Sequence, residues 1–334
     1  MPEMIDRRRL MVGGAALTMP LMLPIGRRAM AGSSMVLRLS SANSPTDQRA
    51  LAMIEVFAPA VAQFADLQLH WNATLFKQGT EIEAMARGNL EMAMISAQEL
   101  AEFVPEFSIF TSGYLLRDAE HQSNVFAADY MAPLKQKVED DLGVKLLAAF
   151  YLGRRQLNLR SDKEIKTPAD LAGIKLRMPG TDAWQFLGRA LGANPVPMAF
   201  TEVYTALQTG AIDGQDNPLP TIKDARFFEA TKQIVLTGHL VDQTYLAISK
   251  KAFTKFSPEQ QAMLQKAASD TADRVRVRQL QLEEALAAEF KNAGLKVYAP
   301  DVDAFRAHVQ KAYLASDYAK GWPDGLVDKI NATK

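Results

Sequence analysis

Apolar and polar positions along this chain alternate between two periods. Residues 36–40 (VLRLS) alternate with period two and predict a strand, whereas residues 48–64 carry the 3.6-residue spacing of an amphipathic helix. Residues 67–71 predict a second strand, 80–87 a helix stopped by Gly88, and 92–95 a short apolar strand. This strand–helix–strand rhythm predicts parallel sheets covered by helices. A second such unit starts near Leu157. There Thr167 caps a short helix, Pro168 suits its first turn and Asp170 complements its dipole. Gly173 ends it, and Ile174, Lys175, Leu176, Arg177 and Met178 (IKLRM) follow as a strand. Phe200 then precedes a helix over 201–209, which Gly210 terminates. The chain turns through Asp213 and Gly214 to Asn217 and Pro218.

One helix is predicted to be far longer than the rest. From Ser257 and Pro258 the pattern runs without glycine or proline to Asn292. At 1.5 Å per residue this is about 50 Å, longer than a small domain is wide. Its apolar positions keep no heptad, so a helix spanning two domains fits better than a coiled coil.

Composition adds mainly exclusions. The 334 residues hold 38 basic and 38 acidic side chains, so no net field favours nucleic acid or an anionic membrane. The absence of cysteine rules out disulfides, thiolate catalysis and cysteine-ligated zinc. Four histidines, His70, His121, His239 and His308, show no metal-ligand spacing, and no phosphate-binding or nucleophile-elbow motif is present. The expectation is a protein with no metal, no cofactor and no catalytic residue.

The first 31 residues read as a cleaved export signal. Arg7, Arg8 and Arg9 precede a weakly apolar run to Ile25, and Ala29, Met30 and Ala31 form a small-residue cleavage site. The paired arginines suggest the twin-arginine type. No later segment is apolar for long enough to cross a membrane. The expected location is the periplasm.

The candidate chemistry lies in the second unit. In residues 174–178, Ile174, Leu176 and Met178 face one side of the strand, and Lys175 and Arg177 the other. Pro179 and Gly180 end the strand just after Arg177, and ligands of open α/β sheets bind beyond the carboxyl ends of strands. The planar fork of Arg177 could hold a carboxylate bidentately there. By position alone, the strand could instead present a solvated basic face. Proline at 218 holds Asn217 extended, and its amide could donate to a carboxylate.

The segments GRRQLNLR, TPADLAGIKLRMPG, GANPVPMAFTEVYTALQTGAIDGQDNP and TGHLVDQTYLAIS together resemble the periplasmic solute-binding proteins of tripartite ATP-independent periplasmic (TRAP) transporters. The likeness covers the chain from about Met35 onward and is nearest to the dicarboxylate and sialic-acid branch. It implies an α/β, two-domain periplasmic binding protein fold with hinge strands and a long domain-spanning helix. The corresponding division is 35–152 with 243–282 for the first domain, and 153–242 with 283–334 for the second. In the resemblance Arg177 binds the ligand carboxylate, Arg155 assists, with Arg154 beside it as the alternative, Asn217 contacts the same group, and Phe200 packs against the ligand. Two first-domain segments reach the ligand, residues 41–43 with Asn43 and residues 96–98 with Ser96 and Gln98. Neutral groups opposite two arginines suit a hydroxylated monoacid such as a uronate or aldonate, whereas a C4-dicarboxylate would want a third cation. The expected partners are a small carboxylate ligand and the transporter's membrane subunits, with the protein itself a monomer. A C4-dicarboxylate or keto-acid ligand bound by the same fold, a receptor's sensing subunit and an exported enzyme are the alternatives.

Overall fold

The computed structural model describes residues 35–334, so the export-signal reading lies outside the described residues. Nine strands form one mixed sheet: β1 (Met35–Ser40), β2 (Ala65–His70), β3 (Met92–Ser96), β4 (Val144–Leu159), β5 (Lys175–Met178), β6 (Asn194–Pro197), β7 (Gly214–Pro218), β8 (Gln233–Ser249) and β9 (Lys296–Tyr298). Their order is β2-β1-β3-β8-β4-β7-β5-β6, with β9 also on β8. The parallel pairs β1–β2 and β1–β3 build one lobe, and β5–β6 and β5–β7 the other. The long antiparallel strands β4 and β8 run through both lobes and join them.

The joining strands are irregular where they pass between lobes. The β4–β8 register slips between Leu146 and Ala148, between Tyr151 and Gly153, and between Arg155 and Leu157. Gly153 has φ of 127°, and a Cβ there would sit 2.6 Å from the Pro218 Cβ. Bulges of this kind bend a strand and re-aim its side chains.

The helix Pro258–Asn292 braces both lobes. Ser257 caps it in a box with Gln260, as its sequence predicts. Leu264, Ala267, Ala268 and Val275 pack in the first-lobe core with Phe57 and Ile248, while Leu286 and Phe290 pack in the second with Val203 and Phe227. Between them Gln279 donates to the Leu152 carbonyl on β4 at 2.8 Å. Residues 35–334 pack as one compact unit. The last helix, Leu326–Ala332, returns to the first lobe, with Leu326 and Ile330 beside Phe107 and Tyr245. Its side chains therefore do not follow the 283–334 grouping expected for the second domain.

Two local expectations change. The helix over 48–64 is interrupted by a π-turn, Met53–Phe57, before Ala58–Val61. Pro59 supplies no N–H to the preceding turn and crowds its carbonyl, which widens the helix there. The expected turn at Asn217 is a wholly buried strand, β7, paired with β4 on one side and β5 on the other. Its glycine, amides, acid and proline read as a loop, but both backbone edges are hydrogen-bonded and the side chains satisfy one another.

Candidate functional site

The seam between the lobes holds a cavity, and the second lobe supplies its cationic wall. Arg177 lies at the carboxyl end of β5 and is 1% exposed, which overturns the solvated-face alternative for that strand. Its Nε and Nη2 donate to the Met198 carbonyl at 2.9 and 2.7 Å, a position set by the β5–β6 pairing. Among the described residues no carboxylate lies within ion-pairing distance of its guanidinium. Burial, followed by the like charge of Arg155, pushes Arg177 down to about 9, which leaves it protonated at neutral pH. Lys175, two residues earlier, is exposed.

Arg155, on β4, is equally buried but fully partnered. Its Nε donates to Asp216 Oδ2 at 2.7 Å, its Nη1 to Asp242 Oδ2 at 2.8 Å and its Nη2 to Asp216 Oδ1 at 3.0 Å. The ring of Trp184 lies 4.4 Å from its guanidinium carbon. His239 Nε2 backs Asp216 at 3.0 Å, and the Arg155 charge with these hydrogen bonds holds Asp216 well below the usual carboxylate range despite its burial. Arg154, the neighbouring alternative, donates to the Arg117 carbonyl and does not line this cavity.

Asn217 and Phe200 both reach the cavity wall. Asn217 Nδ2 donates to Gln215 Oε1 at 2.6 Å, and Gln215 donates in turn to Asn158 Oδ1 at 3.1 Å, so a buried amide chain orients it. Phe200 packs edge-on to Phe227 with its ring 6.0 Å from the Arg177 guanidinium carbon. Thr221 joins this wall with its Oγ1 buried and unpartnered.

The first lobe supplies Ser41, Asn43 and Ser96, as expected, but not Gln98. Gln98 is fully buried behind the wall, with neither side-chain polar atom bonded. Residues 96 and 98 point apart because Ser96 caps the helix Ala97–Ala101 and Gln98 lies inside its first turn. The next residue, Glu99, faces the cavity instead, together with Glu81 and Gln78. The wall expected to be neutral therefore carries two carboxyls. Arg49 is a third cation on the cavity, but it forks onto Asp47, Nε to Oδ1 at 2.8 Å and Nη2 to Oδ2 at 2.9 Å.

Hydrogen bonds link the lips of the cleft. Gln78 Oε1 accepts the Phe200 N–H at 3.0 Å, and Ser44 Oγ donates to Asp224 Oδ2 at 2.6 Å. Among the described residues there is no cluster of histidines and acids that could hold a metal ion, and no helix is long and apolar enough to cross a membrane. The arrangement is suited to enclosing a small anion between an unpaired guanidinium and a polar facing wall.

Residues 38–319 match the family described as bacterial extracellular solute-binding protein, family 7 (DctP). The chain belongs to this family. It is 57% identical to a TRAP periplasmic solute-binding protein of Roseobacter denitrificans, solved with bound 3-deoxy-D-manno-oct-2-ulosonic acid. That likeness has a TM-score of 0.89 and covers 90% of this chain and 100% of that one. A second protein of that organism, solved with L-galactonate, is 27% identical with a TM-score of 0.80, covering 90% of this chain and 98% of the other. The sialic acid-binding periplasmic protein SiaP of Vibrio cholerae is 30% identical over 80% of this chain and 82% of its own length. The fold is thus the two-domain periplasmic binding protein fold of TRAP solute-binding proteins.

The sequence reasoning missed Arg49, Glu81, Glu99, Trp184, Thr221 and Asp242 on the cavity wall. Trp184 had a usable signal, since it sits one turn into the helix that follows Arg177. The rest come from separate segments that only the folded chain brings together.

Proposed function

We propose that this protein captures a hydroxylated monocarboxylic sugar acid in the periplasm and delivers it to the membrane subunits of a TRAP transporter. The observation that carries this reading is Arg177, a buried guanidinium on a cavity wall with no carboxylate of the described residues within ion-pairing distance. Leaving a charge unpaired in a closed site is costly, so the missing partner is the anion the site is built to hold. The sugar-acid ligands of the Roseobacter proteins support the ligand class, and at 57% identity 3-deoxy-D-manno-oct-2-ulosonic acid is the first candidate. Arg177 receives the carboxylate, Asn217 and Thr221 bond the same end of the ligand, Phe200 covers it, and Arg155 sets the local field. The division into 35–152 with 243–282 and 153–242 with 283–325 is part of the proposal, with 326–334 moved to the first domain because of its packing. Binding without turnover, and monomeric action, complete it.

The direct test is mass spectrometry of the small molecule that co-purifies, followed by calorimetric titration with that acid. Saturation at one hundred times the dissociation constant should add about 2.7 kcal/mol of stability. Failure of every sugar acid to bind or to raise the melting temperature would reject the ligand class. Recovery of a chemically altered ligand would reject the non-enzymatic reading. For export, lysines in place of Arg7, Arg8 and Arg9 should leave precursor in the cytoplasm, and normal periplasmic accumulation would reject the twin-arginine route.

A further inference from the structure

The first-lobe wall presents the converse of Arg177. Glu81 and Glu99 both line the cavity and are only 3% and 8% exposed. Among the described residues neither lies within ion-pairing distance of a lysine or arginine. Each is fixed instead by backbone. Glu81 Oε2 accepts the Gly79 N–H at 2.8 Å, and Glu99 Oε2 accepts the Ser96 N–H at 2.8 Å within the capping box of Ala97–Ala101. In each carboxyl, Oε1 takes no hydrogen bond from the described residues. The cations of the cavity do not answer them: Arg49 is forked on Asp47, Arg155 is held by Asp216 and Asp242, and Arg177 belongs to the opposite wall.

We propose that Glu81 and Glu99 are the specificity-determining wall of this site: they accept the hydroxyl groups of the ligand's chain and reject any ligand with a second carboxylate at that end. The proposal rests on the sugar-acid reading above and deepens it. A hydroxyl needs an acceptor fixed in place, and two backbone-pinned carboxyls with free oxygens supply it. A second ligand carboxylate would instead be the third acidic group in a water-poor corner with no free cation, and acids facing one another in such a place cannot all ionise. Burial, then the charge of Glu99, pushes Glu81 up to about 8, and burial, with a smaller push from Asp242, raises Glu99. Glu81 therefore holds its proton near neutral pH, which suits neutral hydroxyls better than a ligand ammonium group.

The experiment compares galactonate with galactarate, which differ only in the terminal carbon, alongside 3-deoxy-D-manno-oct-2-ulosonic acid. Calorimetric titrations are run on the wild type, Glu81→Gln, Glu99→Gln and the double variant, with folding checked by thermal unfolding. The wild type should prefer galactonate to galactarate by about 100-fold, since an unpaired second charge costs a few kcal/mol. Each single variant should narrow that ratio by about tenfold, and the double variant further. Each should also weaken the octulosonic acid by about tenfold through loss of a fixed carboxyl partner for its hydroxyls. The ratio is unmoved by a merely structural role, because misfolding weakens both ligands together. Equal binding of the two acids by the wild type, or an unchanged ratio in all variants, would overturn the proposal while leaving the sugar-acid reading intact. If the wild type binds none of the three acids, the sugar-acid reading falls and this inference with it.

Discussion

Arg155 and Arg177 sit on the same cavity wall, are buried to within two per cent of each other, and have opposite electrostatic lives. Arg155 is held by two carboxylates, with an indole over its face and a histidine behind one acid. Arg177 has a backbone carbonyl and, among the described residues, no carboxylate at ion-pairing distance, with Asp216 and Glu202 acting on it only from further off. Burial alone would class them together. What separates them is the supply of counter-charge from the protein. A buried pair whose charges are matched belongs to the architecture. A buried charge left unmatched is the one the proposed ligand would answer. The same distinction separates Arg49, matched by Asp47, from Glu81 and Glu99, matched by no cation.

The largest effect expected is on ligand affinity at Arg177. Breaking a buried pair by removing one partner costs about 3–5 kcal/mol. With tenfold per 1.4 kcal/mol, Arg177→Ala should weaken a cognate sugar acid by about 100- to 1000-fold or more. Arg177→Lys should recover only part, because the ammonium keeps the charge and loses the fork. The unliganded variant should melt no lower than the wild type, since it sheds an unpaired buried charge. Near-wild-type affinity for Arg177→Ala in calorimetric titration would erase the contrast between the two arginines.

Removing Arg155 should break the fold rather than the ligand contact. Arg155→Ala leaves Asp216 and Asp242 buried without their cation, and about 3–5 kcal/mol of unfolding free energy should be lost in urea titration. Combining Arg155→Met with Asp216→Asn should restore part of it, as neutral replacements of a buried pair are tolerated better than a half-broken one. A stability loss no larger than that of Arg177→Ala would show that the two aspartates do not confine Arg155 to a structural role.

The division between matched and unmatched charge was only half legible in the sequence. Hydrophobic period and punctuation gave Pro258–Asn292 its bounds, because a capping box at Ser257 and uninterrupted helix formers are local signals. They placed Arg177 at a strand end for the same reason. Asn217 was singled out but set in a turn, since polar, glycine-rich composition mimics a turn when the strand's partners lie far along the chain. Ser96 and Gln98 were treated alike, although a helix start between them sends one to the cavity and the other into the interior. Charge matching was the least visible property. Asp216 and Asp242 pair with Arg155 over separations of 61 and 87 residues, and Glu81 faces Glu99 from a different segment. No spacing rule reaches so far. The family resemblance implied a ligand-facing role for Arg177 where periodicity stopped.

A smaller effect is expected at Thr221, where the unmatched group is a neutral hydroxyl. Its Oγ1 is buried on the cavity wall without a partner. Thr221→Val replaces that hydroxyl with a methyl of similar shape. One neutral hydrogen bond contributes about 0.5–1.5 kcal/mol, so affinity should fall by about three- to tenfold, and stability without ligand should hold or rise. Unchanged affinity would mean that the hydroxyl is idle in the complex as well.

The last effect expected is a pH dependence of the unliganded protein, with its sign set by the acidic wall. The folded-state pKa of Glu81 is raised from 4.5 to about 8 by burial and by Glu99. Its neutral form is the one the fold prefers, so its contribution to stability is fully present below about pH 4.5. It is lost progressively as pH rises towards 8, because the unfolded chain releases a proton that the folded chain keeps. Asp216 acts in the opposite sense: its pKa is depressed, and its contribution is present above its ordinary value of 3.8 and lost as pH falls below it. Thermal unfolding between pH 5 and pH 8 therefore separates the two acids, since Asp216 stays ionised there in both states while Glu81 changes. The wild type should lose more stability over that window than Glu81→Gln, in which the site no longer titrates. Parallel curves for the two proteins would mean that Glu81 is ionised and matched in the folded state, and the contrast between matched and unmatched charge would then hold for the arginines alone.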